Sequence, residues 1–163
     1  MSPTRRTTLA LLAAAPLGAC GLFGSDKEPP PPPTTQVALQ IAASPQLNPA
    51  VNGRASPVLV RIYELTEVGP FNEADFFALY EKDRDALGPT VLAQSEVVAQ
   101  PGQVVNVPMR ETRPETKAIG VFVAFRDYEN ASWRAATTIT PLEKTTLIVN
   151  LLRLAVQISK PAG

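Results

Sequence analysis

A single cysteine, Cys20, means that no disulfide can close within this chain, so its fold has to come from packing alone. The pattern that can supply the packing begins at Gln36. Val37, Leu39 and Ile41 alternate with Ala38 and Gln40, which sets three apolar side chains on one face of a half-buried strand. Val58–Leu65 predicts a second strand. Further strands are predicted over Val91–Ala99, Val104–Met109, Lys117–Arg126, Trp133–Thr140 and Thr145–Ile158. In Lys117–Arg126 the residues Ile119, Val121, Val123 and Phe125 alternate strictly. Pro101-Gly102 is a type II turn candidate, and Pro108 restricts the end of its strand to a sheet edge or a bulge. Such a run of strands, interrupted once by a helical segment, argues a mainly β fold: an antiparallel two-sheet β-sandwich.

The helical segment lies between the second and third strands. Asn72 is expected as its N-cap, Asp75 completes an approximate capping box, and Phe71 and Phe76 form a hydrophobic staple. The spacing predicts one helix from Glu73 to about Lys82 or Asp83, with Gly88-Pro89 ending the region. Its aromatic residues Phe71, Phe76, Phe77 and Tyr80 are expected to lid one end of the core. The connection between the first two strands, residues 44–57, holds Pro45, Pro49, Pro57 and Asn52-Gly53, which forbid regular structure there. It is long for a link between strands, and long links are functional or disordered. Its internal punctuation argues an ordered loop.

The position of Cys20 carries a second message. It closes the run Leu17-Gly18-Ala19-Cys20, after an apolar stretch from Leu9 to Leu17 that follows Arg5-Arg6. A basic start, a short apolar stretch and small residues before a cut make a secretory signal peptide, residues 1–19. The stretch is far shorter than the roughly 20 residues that span a bilayer. A cysteine at the cut follows the lipobox pattern of bacterial lipoproteins: cleavage before Cys20, acylation of its thiol, and a lipid-held N-terminus. One acyl chain at about 0.8 kcal/mol per buried methylene is a marginal anchor; the lipoproteins that this segment resembles carry three. Gly21, where an aspartate would favour inner-membrane retention, points to the outer membrane. Arg5-Arg6-Thr7-Thr8-Leu9 also resembles a twin-arginine signal, which leaves the export route open. Residues 20–35 then read as a tether, with Pro29–Pro33 favouring a semi-rigid polyproline II spacer at about 3.1 Å per residue. The sandwich domain is assigned to residues 36–160.

Composition removes whole classes of function. The chain has no histidine, and with Cys20 acylated the commonest general base and the best transition-metal ligands are missing. Ser-His-Asp and Cys-His catalysis are excluded. Losing Arg5 and Arg6 with the signal takes Lys plus Arg from 15 to 13 against 15 Asp plus Glu, so the net charge moves from zero to −2. No basic field exists to attract nucleic acid. The charge run Glu81-Lys82-Asp83-Arg84-Asp85 lacks the ligand spacing and central glycine of a calcium loop and reads as a solvated helix end. Asp127-Tyr128-Glu129-Asn130 reads as a hairpin turn. No cofactor or metal site is expected. A hydrolase using Glu64, Asp75 or Asp127 would have to gather carboxylates from separate elements.

Leu47-Asn48-Pro49, then Asn52-Gly53-Arg54, then Ser56-Pro57 running into Val58-Leu59-Val60-Arg61-Ile62-Tyr63-Glu64-Leu65, closely resembles the type VI secretion lipoprotein family (TssJ, also called SciN or VasD). Ala55 stands where that family usually has proline. Phe71-Asn72-Glu73-Ala74-Asp75-Phe76-Phe77-Ala78-Leu79-Tyr80 is similar to the family's Phe-x-x-Ala-Asp-Phe-x-x-Leu-Tyr helix, and the likeness extends to Leu92-Ala93 and Pro101-Gly102. The resemblance implies an eight-stranded, transthyretin-like sandwich and a non-enzymatic outer-membrane lipoprotein facing the periplasm. It implies a partner, the periplasmic C-terminal region of TssM, which is joined to TssL. It also implies that the loop between the first two strands makes the contact. Carried over here, the contact residues are Leu47, Asn48, Pro49, Asn52, Gly53 and Arg54, with Arg54 as the polar anchor and Leu47 as the apolar one. The alternative is a lipid-anchored periplasmic carrier for a hydrophobic or glycan ligand, which a cavity between the sheets would favour.

Overall fold

The computed structural model describes residues 32–161. The signal segment, Cys20 and the tether as far as Pro31 lie outside that range. Along the chain run β1 (Gln36–Ala43), β2 (Val58–Leu65), three short helices α1 (Gly69–Glu73), α2 (Phe76–Glu81) and α3 (Asp83–Leu87), then β3 (Val91–Ala99), β4 (Val104–Glu111), β5 (Ala118–Val123), β6 (Arg134–Thr138), β7 (Lys144–Leu151) and β8 (Val156–Ser159). One sheet has the order β4-β1-β7-β8 and the other β3-β2-β5-β6. The alternation read from the sequence is what builds the interior. Val37, Leu39 and Ile41 of β1 and Leu147, Val149 and Leu151 of β7 face Val60 and Ile62 of β2 and Ile119, Val121 and Val123 of β5. Burying each such side chain contributes about 1.5–3 kcal/mol.

The turn at Pro101-Gly102 forms as predicted. Gly102 has φ of 76°, and Gln103 N–H donates to the Gln100 carbonyl at 3.1 Å, as a type II turn requires. Pro108 sits in β4, an edge strand, beside the register shift opposite Val37–Leu39. There its missing N–H breaks no ladder that continues outward.

Three details depart from the expectation. First, β1 pairs with β7 in parallel, from Gln36 against Lys144 to Ala43 against Leu151, while the remaining strand pairings are antiparallel. Alternation fixes which face of a strand is buried but not the direction of its neighbour. Second, the segment Thr145–Ile158 is two strands. It turns over residues 152–155, where Leu152 N–H donates to the Ala155 carbonyl at 2.7 Å. Third, the single predicted helix is broken. Asp75, not Asn72, is the cap of the main turn: its Oδ1 accepts from Ala78 N–H at 2.8 Å, and Ala74 is extended with ψ of 143°. In one continuous helix Phe71 and Phe76 would point about 140° apart at 3.6 residues per turn. The break lets both rings face the same sheet.

Those rings do not lid the end of the sandwich. They cover the outer face of the second sheet, forming a second apolar cluster of Phe71, Phe76, Leu79 and Leu87 on Tyr63, Leu65, Ala118 and Phe122. β5 is therefore buried on both faces along its whole length. Gly120 lies beneath Phe71, where an added Cβ would stand 2.9 Å from Leu65 Cδ1 and 3.2 Å from the ring. Polar clamps fasten the helices to the sheet. Arg61 Nη1 donates to the Leu79 carbonyl at 2.6 Å, and its Nε pairs with Glu96 at 2.6 Å. Arg134 donates to the Phe71 and Ala74 carbonyls. Tyr63 donates to Asp83 at 2.9 Å, and burial raises the phenol above its ordinary pKa.

The strands run between two distinct ends. The chain enters at one of them. There the Thr35 carbonyl accepts from Thr112 N–H at 3.0 Å, Thr35 Oγ1 accepts from Leu142 N–H at 2.8 Å, and Thr34 Oγ1 donates to Glu111 at 3.0 Å. Glu64 locks the two sheets at the same end, with Arg110 Nη1 at 2.5 Å, Arg113 N–H at 2.9 Å and Thr116 Oγ1 at 3.3 Å. The opposite end carries the β1–β2 loop, the β3–β4 turn, the β5–β6 loop and the β7–β8 turn. Eight residues of β1, at about 3.3 Å each, set the two ends roughly 26 Å apart.

Candidate functional site

The β1–β2 loop is built in two parts. Its root is buried: Leu47 has no exposed surface and Asn48 is 4% exposed. Leu47 N–H donates to the Ser44 carbonyl at 3.1 Å, and the Leu47 carbonyl accepts from Ser56 N–H at 3.0 Å, so the loop is pinched across its base. Asn48 adopts φ of 47°, a left-handed conformation that asparagine tolerates better than most residues. That turn aims its amide inward. Nδ2 donates to the Pro57 carbonyl at 2.9 Å, Oδ1 accepts from Arg126 N–H at 2.9 Å, and its own N–H donates to the Arg153 carbonyl at 3.0 Å. One residue thus ties together the β1–β2 loop, the β5–β6 loop and the β7–β8 turn.

The tip, residues 50–54, stands clear of the domain. Gly53 N–H donates to the Ala50 carbonyl and Ala50 N–H to the Arg54 carbonyl, both at 2.8 Å. Asn52 Oδ1 accepts from Arg54 N–H at 3.1 Å. Gly53 has φ of 78° with open space around it, so glycine is there for backbone conformation and not for close contact. Val51 is 104% exposed, and Asn52, Gly53 and Arg54 are exposed as well. Pro49, between root and tip, and Ala50, the first residue of the tip, are half-buried.

The six residues singled out from the sequence are therefore one continuous feature, but they do not share a role in this geometry. Asn52, Gly53 and Arg54 are presented to solvent. Leu47 packs inside the core with no surface to offer, and Val51 is the apolar residue that the loop exposes. The sequence reading passed over Val51, although an exposed apolar residue beside Asn-Gly is a usable signal. It also passed over Arg126 and Arg153, which the fold brings beside the loop. Together with Pro49–Val51, Asp127 and Leu154 they line a shallow depression of about 300 Å³. Cys20 lies outside the described residues.

The remaining candidates have structural partners. Glu64 is enclosed between the sheets by its three donors, Asp75 caps α2, and Asp127 accepts from Asn130 at 2.9 Å. They lie on separate elements and form no catalytic group. Among the described residues, the apolar side chains named above pack against one another between the sheets. Among the described residues there is no cluster of metal-ligating side chains and no helix long and apolar enough to cross a membrane.

Residues 35–154 match the family described as type VI secretion lipoprotein, VasD, EvfM, TssJ. The crystal structure of the type VI secretion lipoprotein TssJ1 from Pseudomonas aeruginosa is similar, with 30% identity and a TM-score of 0.76 over 80% of this chain and 99% of that one. A chain in a structure described as the TssM C-terminal domain from EAEC matches at 28% identity and a TM-score of 0.65, over 76% of this chain and 99% of that one. The Serratia marcescens protein Lip, described as a membrane-bound component of the type VI secretion system, shares the fold at 20% identity and a TM-score of 0.69, over 80% of this chain and 99% of Lip. No curated protein matches. The match over most of the domain and the likeness to TssJ1 agree with the sandwich, its helical insertion and the motifs of the first loop: the chain belongs to the type VI secretion lipoprotein family, a family of membrane-complex components and not of enzymes.

Proposed function

We propose that this protein is the outer-membrane lipoprotein of a type VI secretion membrane complex, and that it docks the periplasmic C-terminal region of TssM through the tip of its β1–β2 loop. Signal peptidase removes residues 1–19, acyl chains on Cys20 hold the chain in the outer membrane on its periplasmic face, and residues 20–35 act as the tether. TssM joins the complex in turn to TssL. The observation that carries the reading is the two-part loop: a buried root hydrogen-bonded to two neighbouring loops, and an exposed tip at the end of the sandwich opposite the one where the chain enters at Thr35. A tip held this way loses little conformational freedom on binding. The likeness to a chain in a structure described by a TssM domain supports the choice of partner. A tether over residues 20–35 can reach well beyond the lipid headgroups, since an extended chain spans at most about 3.6 Å per residue.

Two experiments test this. Replacing residues 50–54 by a Gly/Ser segment is expected to leave the domain folded and to abolish binding of the TssM periplasmic domain; unchanged affinity would move the contact elsewhere. Cys20→Ser is expected to release the protein from membranes and stop secretion. Full secretion by the unlipidated form would end the anchoring claim.

A further inference from the structure

Eight arginines lie in the described domain, and two of them, Arg84 on α3 and Arg113 after β4, are exposed singly and away from the β1–β2 loop. Arg61, Arg110 and Arg134 are committed within the fold, to Glu96 and Asp83, to Glu64, and to helix carbonyls. Arg54, Arg126 and Arg153 come from the β1–β2 loop, the β5–β6 loop and the β7–β8 turn, and all three are exposed. Among the described residues none of their guanidinium groups makes a hydrogen bond or ion pair. Asn48 brings the three segments together, since its backbone and side chain bond to the main chain at both Arg126 and Arg153. Arg126 and Arg153 then flank the depression beside Val51. Val51 at 104% and Leu152 at 41% exposure add apolar surface at the same end. Asp127 lines the same depression, half-buried and with its Oδ1 accepting from Asn130, and Glu129 is exposed on the following turn. With the signal removed the chain carries a small net negative charge, so three free arginines at one end stand out from it in sign.

We infer that Arg126 and Arg153 form, with Val51, a second part of the docking surface that receives an acidic side chain of the partner set beside an apolar one. The inference rests on the docking reading above and adds the chemistry of what is received. Exposed arginines held by a rigid backbone suit a carboxylate, because the planar fork offers paired donors at low ordering cost. An apolar neighbour that excludes water strengthens the pair. Charge of this kind steers encounter and fixes register.

The test is binding of the full lipid-free domain to the TssM periplasmic domain at low and at raised salt. Wild-type affinity is expected to fall as salt rises. R126E/R153E is expected to lose about tenfold or more and to show a flatter salt dependence, and R126Q/R153Q to lose less. Lys144→Glu, at the opposite end of the sandwich, is the control expected to change nothing. Unfolding temperatures confirm that each variant folds. If the 50–54 replacement abolishes binding while R126E/R153E and R126Q/R153Q bind as wild type with the same salt slope, the arginine surface is overturned and the docking reading stands. If neither the loop replacement nor the arginine variants weaken binding, both are overturned.

Discussion

Root and tip of the β1–β2 loop lie within a few residues of each other and follow opposite rules. At the root, Leu47 and Asn48 are withdrawn from solvent, and the Asn48 amide uses both its donor and its acceptor on backbone groups of other segments. At the tip, Val51–Arg54 are exposed and bonded mainly among themselves. A long loop stays ordered when its base satisfies buried polar groups as a secondary structure would. Its apex is then free to carry side chains chosen for contact. Burial and exposure are thereby separated along one short stretch of chain.

That separation can be broken or sharpened by substitution. Leu47→Ala should destabilise the domain most, by about 2–5 kcal/mol from lost burial and the cavity left behind, measured by chemical denaturation. A cost within the range seen for surface changes, about 0.5 kcal/mol, would mean that the root is not part of the core. Asn48→Ala should cost about 1–3 kcal/mol by leaving the Arg126 N–H and the Pro57 carbonyl without partners. Hydrogen exchange should then quicken at Arg126, and unchanged protection there would show that Asn48 does not join the loops. Gly53→Ala should cost about 1–2 kcal/mol through the left-handed backbone alone, since no atom crowds that position. Val51→Ser should change stability by no more than about 0.5 kcal/mol. In TssM binding the order should invert, with Val51→Ser among the most damaging. A single ranking for both properties would erase the distinction between root and tip.

Much of the sandwich was legible because alternation directly reports burial. Val37, Leu39 and Ile41, and Ile119, Val121 and Val123, face inward as their spacing requires. The turn at Pro101-Gly102 was legible because glycine at positive φ has few other uses. The β7–β8 turn was not, since Leu152-Arg153-Leu154-Ala155 contains none of the residues that mark turns. The parallel partnership of β1 and β7 was hidden for a different reason. Strands in parallel sheets usually read as continuous apolar runs because both faces are covered. Here the outer face of β1 is less buried than the inner, so its pattern matches an antiparallel strand. The break before α2 depends on where Phe71 and Phe76 must point, which is a tertiary demand. The loop motif marked a segment whose tip is exposed, yet apolar character alone suggested Leu47 as a contact. Only the fold distinguishes an apolar residue that fills the interior from one, Val51, that stands outside it.

Thr35 and the loop sit at opposite extremities of β1, and that strand has β4 on one side and β7 on the other. A pull applied at residues 35 and 52 would run along the covalent backbone of β1 itself, which at about 3.3 Å per residue is already close to its full reach. Neither ladder has to slip for that load to be carried, whereas force on two edge strands must be passed on through hydrogen bonds. Single-molecule pulling from residues 35 and 52 should therefore lengthen the molecule only by what the loop root releases, while pulling from residues 111 and 159 at the sheet edges should strip strands from the sheet.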